Sequence, residues 1–174
     1  MKESIKIKAS ANAVGDFGEL LAAIHLSRTV NKHYRRPLFK PTHLGEKYPI
    51  VDFIVDALDP MERSHGFFFV QVKSTSTAAI SSRTLKLDVE LGKYNKLAAI
   101  PAPTFLIGVD IRTEKAFVIA APKALRKAFS SISKKHDLQD ETVRVRLYKE
   151  VVKYWRRNRS RLIKLRTQFV NERG

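Results

Sequence analysis

Two apolar runs, residues 48–58 (YPIVDFIVDAL) and 66–73 (GFFFVQVK), flank seven breaker-rich residues, DPMERSH. Both are rich in β-branched and aromatic side chains, and their spacing predicts an antiparallel pair. Their nearly continuous apolar character predicts a sheet covered on both faces. The rest of the chain must therefore supply those covers.

Upstream, Val14, Phe17, Leu21 and Ile24 recur at helical spacing between residues 12 and 28, with Asp16 and Glu19 near the start, where the helix dipole favours acids. A short strand is expected near Leu38. Downstream, residues 74–82 read as a Ser/Thr loop. Leu85, Leu87 and Val89 then suggest a short strand, and Leu91, Tyr94 and Leu97 share a helix face. A second hairpin is predicted from TFLIGVDI (104–111) and KAFVIA (115–120). Pro122 is placed to open a helix over APKALRKAF. Val143, Val145 and Leu147 alternate with Arg144 and Arg146 as a short strand would. From Tyr148, Val151, Trp155, Leu162 and Phe169 mark a long final helix. This order predicts an α/β body with a central mixed sheet over residues 1–140, and a basic strand-helix extension, 141–174, packed on it.

Charge narrows the partner. The net charge is +16, of which residues 1–74 carry +3, residues 75–140 carry +5 and residues 141–174 carry +8. Such an excess points to polyanions, nucleic acid before an anionic membrane surface. With no cysteine, a disulfide scaffold, a thiol nucleophile and a Cys-ligated zinc site are excluded. No apolar leader or uninterrupted membrane-length stretch is present, so a soluble, cytoplasmic protein is expected. Phosphate-loop, dinucleotide and nucleophile-elbow motifs are lacking. The histidines at 25, 33, 43, 65 and 136 form no metal-ligand pattern and read as surface or structural residues.

One juxtaposition carries chemistry. Partners in the first hairpin add to about 124, which sets Asp52 against the Gln71-Val72-Lys73 triplet, with the direct partner left open. A carboxylate beside a lysine in apolar strands is costly unless the charges are paired or used. Asp52, the oxygen of Gln71 and a helix-borne Glu19 would make a hard-ligand set for Mg²⁺, with Lys73 positioned to orient a hydroxide or offset phosphoryl charge. Asp56 lies on the face of Asp52 by period two, but its partner near position 68 is remote from Lys73.

At these residues the sequence resembles the PD-(D/E)xK, restriction-endonuclease-like nuclease superfamily. GDFGELLAAIHL, YPIVDFIVD and FFFVQVKST look most like a group of prokaryotic domains in it with a D…QxK motif. The QxK form is similar to that of Mrr-type endonucleases, and the helix-borne Glu to that of archaeal Holliday-junction resolvases. The resemblance covers roughly residues 12–120. It implies a core of helix, three strands, helix and strand, and a Mg²⁺-dependent (Mn²⁺-tolerant) nuclease hydrolysing DNA, in genome defence or repair. Glu19, Asp52 and Gln71 would hold the metal and Lys73 would complete the catalytic set; a homodimer is compatible with it. Two departures stand out: Pro49 lies three residues before the acid, and Gln71 replaces the usual second carboxylate, lowering the expected metal affinity.

The final helix is assigned the phosphate backbone. Lys149, Lys153, Arg156, Arg157, Arg159, Arg161, Lys164 and Arg166 stand against Glu150 alone, with Tyr154 and Trp155 interleaved. Two rival readings remain: a nucleic-acid-binding protein of the same fold with weak or no cleavage, and a protein-interaction or immunity module meeting an acidic partner.

Overall fold

The predicted hairpin forms, one position off the expected register. The computed structural model describes residues 11–30, 36–45, 48–77 and 83–158. In it, β2 (Phe53–Leu58) and β3 (Ser64–Thr75) are antiparallel, with partners such as Phe53 and Val70 that add to 123. The turn between them is built by Asp59, whose carboxylate accepts from the backbone N–H groups of Met61 and Arg63 and from Arg63 Nε, each at 2.8 Å. Glu62 adopts φ 61° inside this turn.

Around this hairpin the chain runs α1 (Ala11–Leu26), β1 (Phe39–His43), β2, β3, β4 (Thr84–Lys86), α2 (Leu91–Ala98), β5 (Thr104–Asp110), β6 (Lys115–Ala120), β7 (Ser131–Ser133) and α3 (Glu141–Asn158). The five-stranded sheet has the order β1-β2-β3-β5-β6 and is antiparallel except where β3 pairs with β5 in parallel. The protein is thus α/β with a mixed central sheet flanked by helices. A parallel neighbour requires a crossover, which the segment carrying α2 supplies.

Both sheet faces are covered, as the apolar strands require. On one face Phe39, Val55, Phe68, Val70 and Ile107 pack with Leu21 and Leu26 of α1 and Leu147 and Val151 of α3. The rings of Phe39, Phe68 and Phe105 meet edge to face at 5.4 and 5.3 Å, a geometry aromatic quadrupoles favour. On the other face, Leu106 and Phe117 pack with Tyr94 and Leu97 of α2 and with Leu85 and Ile132 from the small β4–β7 ribbon. That ribbon fits because Gly108 has no side chain: a Cβ there would lie 2.5 Å from Ile132 Cδ1 and 2.6 Å from Leu87 Cδ1.

Several expectations need correction. Residues 48–52 form a turn, closed by Val51 N–H donating to the Tyr48 carbonyl at 3.1 Å, so β2 begins only at Phe53. β3 runs on through Ser74 and Thr75, which pair with Val109 and Asp110 instead of opening the loop. No helix follows Pro122. Asn95 Nδ2 donates to the Leu125 carbonyl at 3.0 Å and Leu125 N–H donates to Asn95 Oδ1 at 2.8 Å, engaging backbone groups that a helix would use itself. The expected strand at Val143–Leu147 is the first part of α3. Asp140 caps it, accepting from Thr142 N–H at 2.8 Å. Buried Arg144 then secures the helix, donating through Nη1 to the Gln139 carbonyl at 2.9 Å and through Nη2 to the Thr29 carbonyl at 3.3 Å.

Helix α1 is rotated relative to its apolar pattern. Leu21, Ala22, His25 and Leu26 face inward, while Phe17, Leu20 and Ile24 are exposed. The small Gly18 sets this rotation: a Cβ on it would lie 1.6 Å from Ser74 Oγ, so the helix crosses the end of β3 at backbone distance.

Candidate active site

The crossing of α1 over Ser74 brings a helix-borne acid to the end of the sheet where Asp52 and Lys73 lie. Asp52, immediately before β2, is fixed from three directions. Its N–H donates to the Val70 carbonyl and its carbonyl accepts from Leu44 N–H, both at 2.9 Å. Its Oδ2 accepts from Val72 N–H at 2.5 Å. The carboxylate therefore serves as a rung of the ladder at the point where the main chain stops providing one.

Burial pushes the Asp52 carboxyl above its ordinary range and is the largest influence on it. The Val72 N–H bond opposes that push, the Glu19 charge adds to it, and the Lys73 and His43 charges oppose it. These influences identify the groups within electrostatic reach of Asp52. The charges of Glu19 and Lys73 both act on Asp52.

Gln71 is the fourth expected member. Continuing the β2–β3 register by one position sets it opposite Asp52, and it is only 3% exposed. Its Oε1 is buried without a hydrogen-bond partner among the described residues. An orphaned buried acceptor is uncommon and calls for a donor or a cation.

His43 was not among the expected site residues. Its Nε2 lies 2.7 Å from Glu19 Oε2, and its ring meets Phe53 edge-on at 5.2 Å. Lying at the last residue of β1, it joins the acids through the sheet order alone; the sequence offered no His pairing motif to reveal it. Asp56 takes no part. It is paired with Phe67, and its Oδ1 accepts from Ser64 Oγ at 2.9 Å.

The donor types are those a hard divalent cation takes: the carboxylates of Asp52 and Glu19, and an amide oxygen of Gln71 that has no partner among the described residues. Among the described residues, no three His, Asp or Glu side chains stand close enough to hold a metal by themselves.

The basic residues of α3 lie elsewhere. Lys149, Lys153, Arg156 and Arg157 are exposed on it; Arg159, Arg161, Lys164 and Arg166 lie outside the described residues. Trp155 anchors this helix at the opposite end of β3, donating Nε1–H to the Phe67 carbonyl at 2.7 Å and lying 4.6 Å from the Phe67 ring. Phe67 and Lys73 are six residues apart on one strand, about 20 Å at the usual rise. Among the described residues, no helix is long and apolar enough to cross a membrane. No family model matches this chain, and neither does any curated protein or solved structure.

Proposed function

We propose that this protein is a Mg²⁺-dependent nuclease of the restriction-endonuclease-like fold that hydrolyses phosphodiester bonds in DNA. The observation that carries the reading is the placement of Asp52, under the charges of Glu19 and Lys73, opposite Gln71, whose side-chain oxygen has no partner among the described residues. It is supported by the element order, α1, three antiparallel-paired strands, then β4 of the small ribbon, α2, and β5 parallel to β3.

Asp52, Glu19 and the Gln71 oxygen would hold the cation, whose chemistry is to lower the pKa of a bound water and to offset phosphate charge. The chain's own groups perform the remaining tasks. Asp52 is oriented by Val72 N–H, and that bond first and the Lys73 charge second oppose the upward push of burial on its carboxyl. Lys73 presents an ammonium to the negative charge that grows on the phosphate oxygens during in-line attack. His43 positions the Glu19 carboxylate through their 2.7 Å contact.

The test is cleavage of plasmid, linear, branched and single-stranded DNA in Mg²⁺ or Mn²⁺. Asp52→Ala and Lys73→Ala should each reduce the rate about 10²–10³-fold, the usual cost of removing a group that stabilises developing charge. Equal rates in wild type and both variants overturn the reading. A second reading, nucleic-acid binding without cleavage, is favoured by Gln71 itself, which leaves two carboxylates where the resemblance would supply three. It expects affinity with a steep salt dependence and no products.

A further inference from the structure

Where α3 closes over the start of β3 there is a second cleft, of about 670 Å³, within the size range of sites that bury a ligand. Its walls are Arg63, His65 and Phe67 from β3 and the preceding turn, and Trp155 and Arg156 from α3. We infer that this cleft is a binding site for an unpaired nucleotide of a nucleic-acid strand.

Three features select that ligand. The first is ring surface. Phe67 and Trp155 are both partly exposed, 4.6 Å apart and inclined by 38°, so they offer an angled aromatic wall on which a base can stack. The second is charge. Arg156 is exposed at the rim without a carboxylate partner among the described residues, and Lys149, Lys153 and Arg157 continue the positive surface along the neighbouring depression that shares His65 and Arg156. The buried Asp59 tempers Arg63 through a 2.7 Å ion pair, but one acid does not cancel this row. The third is preorganisation. Gly66 has φ 152°, and a Cβ on it would lie 2.1 Å from Trp155 Cδ1, so the glycine is what admits the indole; its Nε1–H is then committed to the Phe67 carbonyl. The rings are held before any ligand arrives, which lowers the ordering cost of binding.

A blunt duplex keeps its bases stacked inside and can offer this cleft only phosphate, whereas a single strand offers both base and phosphate. The inference rests on the cleft's own residues and holds whether or not Asp52 supports cleavage. If both readings stand, the strand leaves the cleft about 20 Å from Lys73, or about six base pairs at the phosphate spacing of one duplex strand. The preferred substrate would then be DNA in which an unpaired segment adjoins a duplex.

Trp155 is the only tryptophan in the chain, so its emission reports this cleft directly. The full-length Asp52→Asn protein, without divalent metal, is titrated with a six-residue oligothymidylate, a blunt duplex of equal length and inorganic phosphate. The oligothymidylate should quench Trp155 saturably, with an affinity at least about tenfold above the other two, the scale of one base-stacking contact. Arg156→Glu, on an exposed side chain, should weaken that binding about tenfold without altering the unliganded emission. Oligonucleotide binding with unchanged Trp155 emission would place the strand elsewhere and overturn the inference. So would equal affinity for duplex or phosphate, or no binding at all. None of these outcomes depends on cleavage, so failure here and failure of the nuclease reading are distinguishable.

Discussion

The two ends of β3 treat buried polar groups in opposite ways. Near Lys73, the Asp52 carboxyl is driven upward by burial and the Gln71 oxygen has no partner among the described residues. Near Gly66, burial also pushes Asp59 upward, but bonds from the Arg63 backbone N–H and guanidinium and from Met61 N–H outweigh it, leaving that carboxyl below its usual range. Trp155 at the same end has its one donor satisfied. Unmet electrostatic demand marks a place where an added charge is welcome, and full satisfaction marks a rigid platform. One strand thus carries a site suited to chemistry and, about 20 Å away, a surface suited to holding.

The comparison breaks most sharply at Gly66. Gly66→Val should cost about 3 kcal/mol, because a Cβ at 2.1 Å from Trp155 and φ 152° combine overpacking with backbone strain. Thermal melting should fall by roughly 6–12 °C on the scale for a chain of this size. An unchanged Tm would show that the indole does not depend on that gap.

A smaller and more discriminating effect comes from neutralising the two aspartates. Because the folded Asp52 pKa is raised, its ionisation destabilises the fold. Asp52→Asn, which can still accept from Val72 N–H, should therefore raise Tm by roughly 2–4 °C at neutral pH. That gain should fade as pH drops through the raised folded value toward the ordinary one, where the wild-type carboxyl is itself protonated. Asp59→Asn should do the reverse. Its depressed pKa contributes stability present above the ordinary carboxyl value and lost as pH falls through the folded value, so the variant should melt lower at neutral pH and converge with wild type in acid. Melting curves across pH with the same sign for both variants would dissolve the contrast between the two ends.

The smallest effect is expected on α3. Lys153→Ala should reduce the slope of log affinity against log salt by about one, uniformly across DNA sequences, as the loss of one phosphate contact does. An unchanged slope would remove Lys153 from the holding surface.

Much of the sheet was legible because period-two patterning and a short connection fix a hairpin register to within one residue, which was enough to set Asp52 against Gln71 and Lys73. Short alternations were less informative. Val143 and Leu147 are also four apart, so the same residues serve a helix, and the capping signal of Asp140 before Glu141 was the better guide. The loop after Pro122 was hidden because its determinant, Asn95, lies 30 residues away. His43 and the Trp155 cleft are products of strand order and helix docking, which local pattern does not encode. Gly18 and Gly66 did mark both crossings, but a glycine's absent side chain gains meaning only when its neighbour is known.

The closure of α3 over Gly66 also imposes an order in time. Glu19, His43, Asp52, Gln71 and Lys73 all leave the ribosome ahead of Trp155 and Arg156, which follow after β7. A chain interrupted before α3 would contain every residue assigned to cutting and lack the indole and guanidinium assigned to holding. Under the proposed reading, the groups that act on a strand are synthesised before the groups that select one, and α3 joins them.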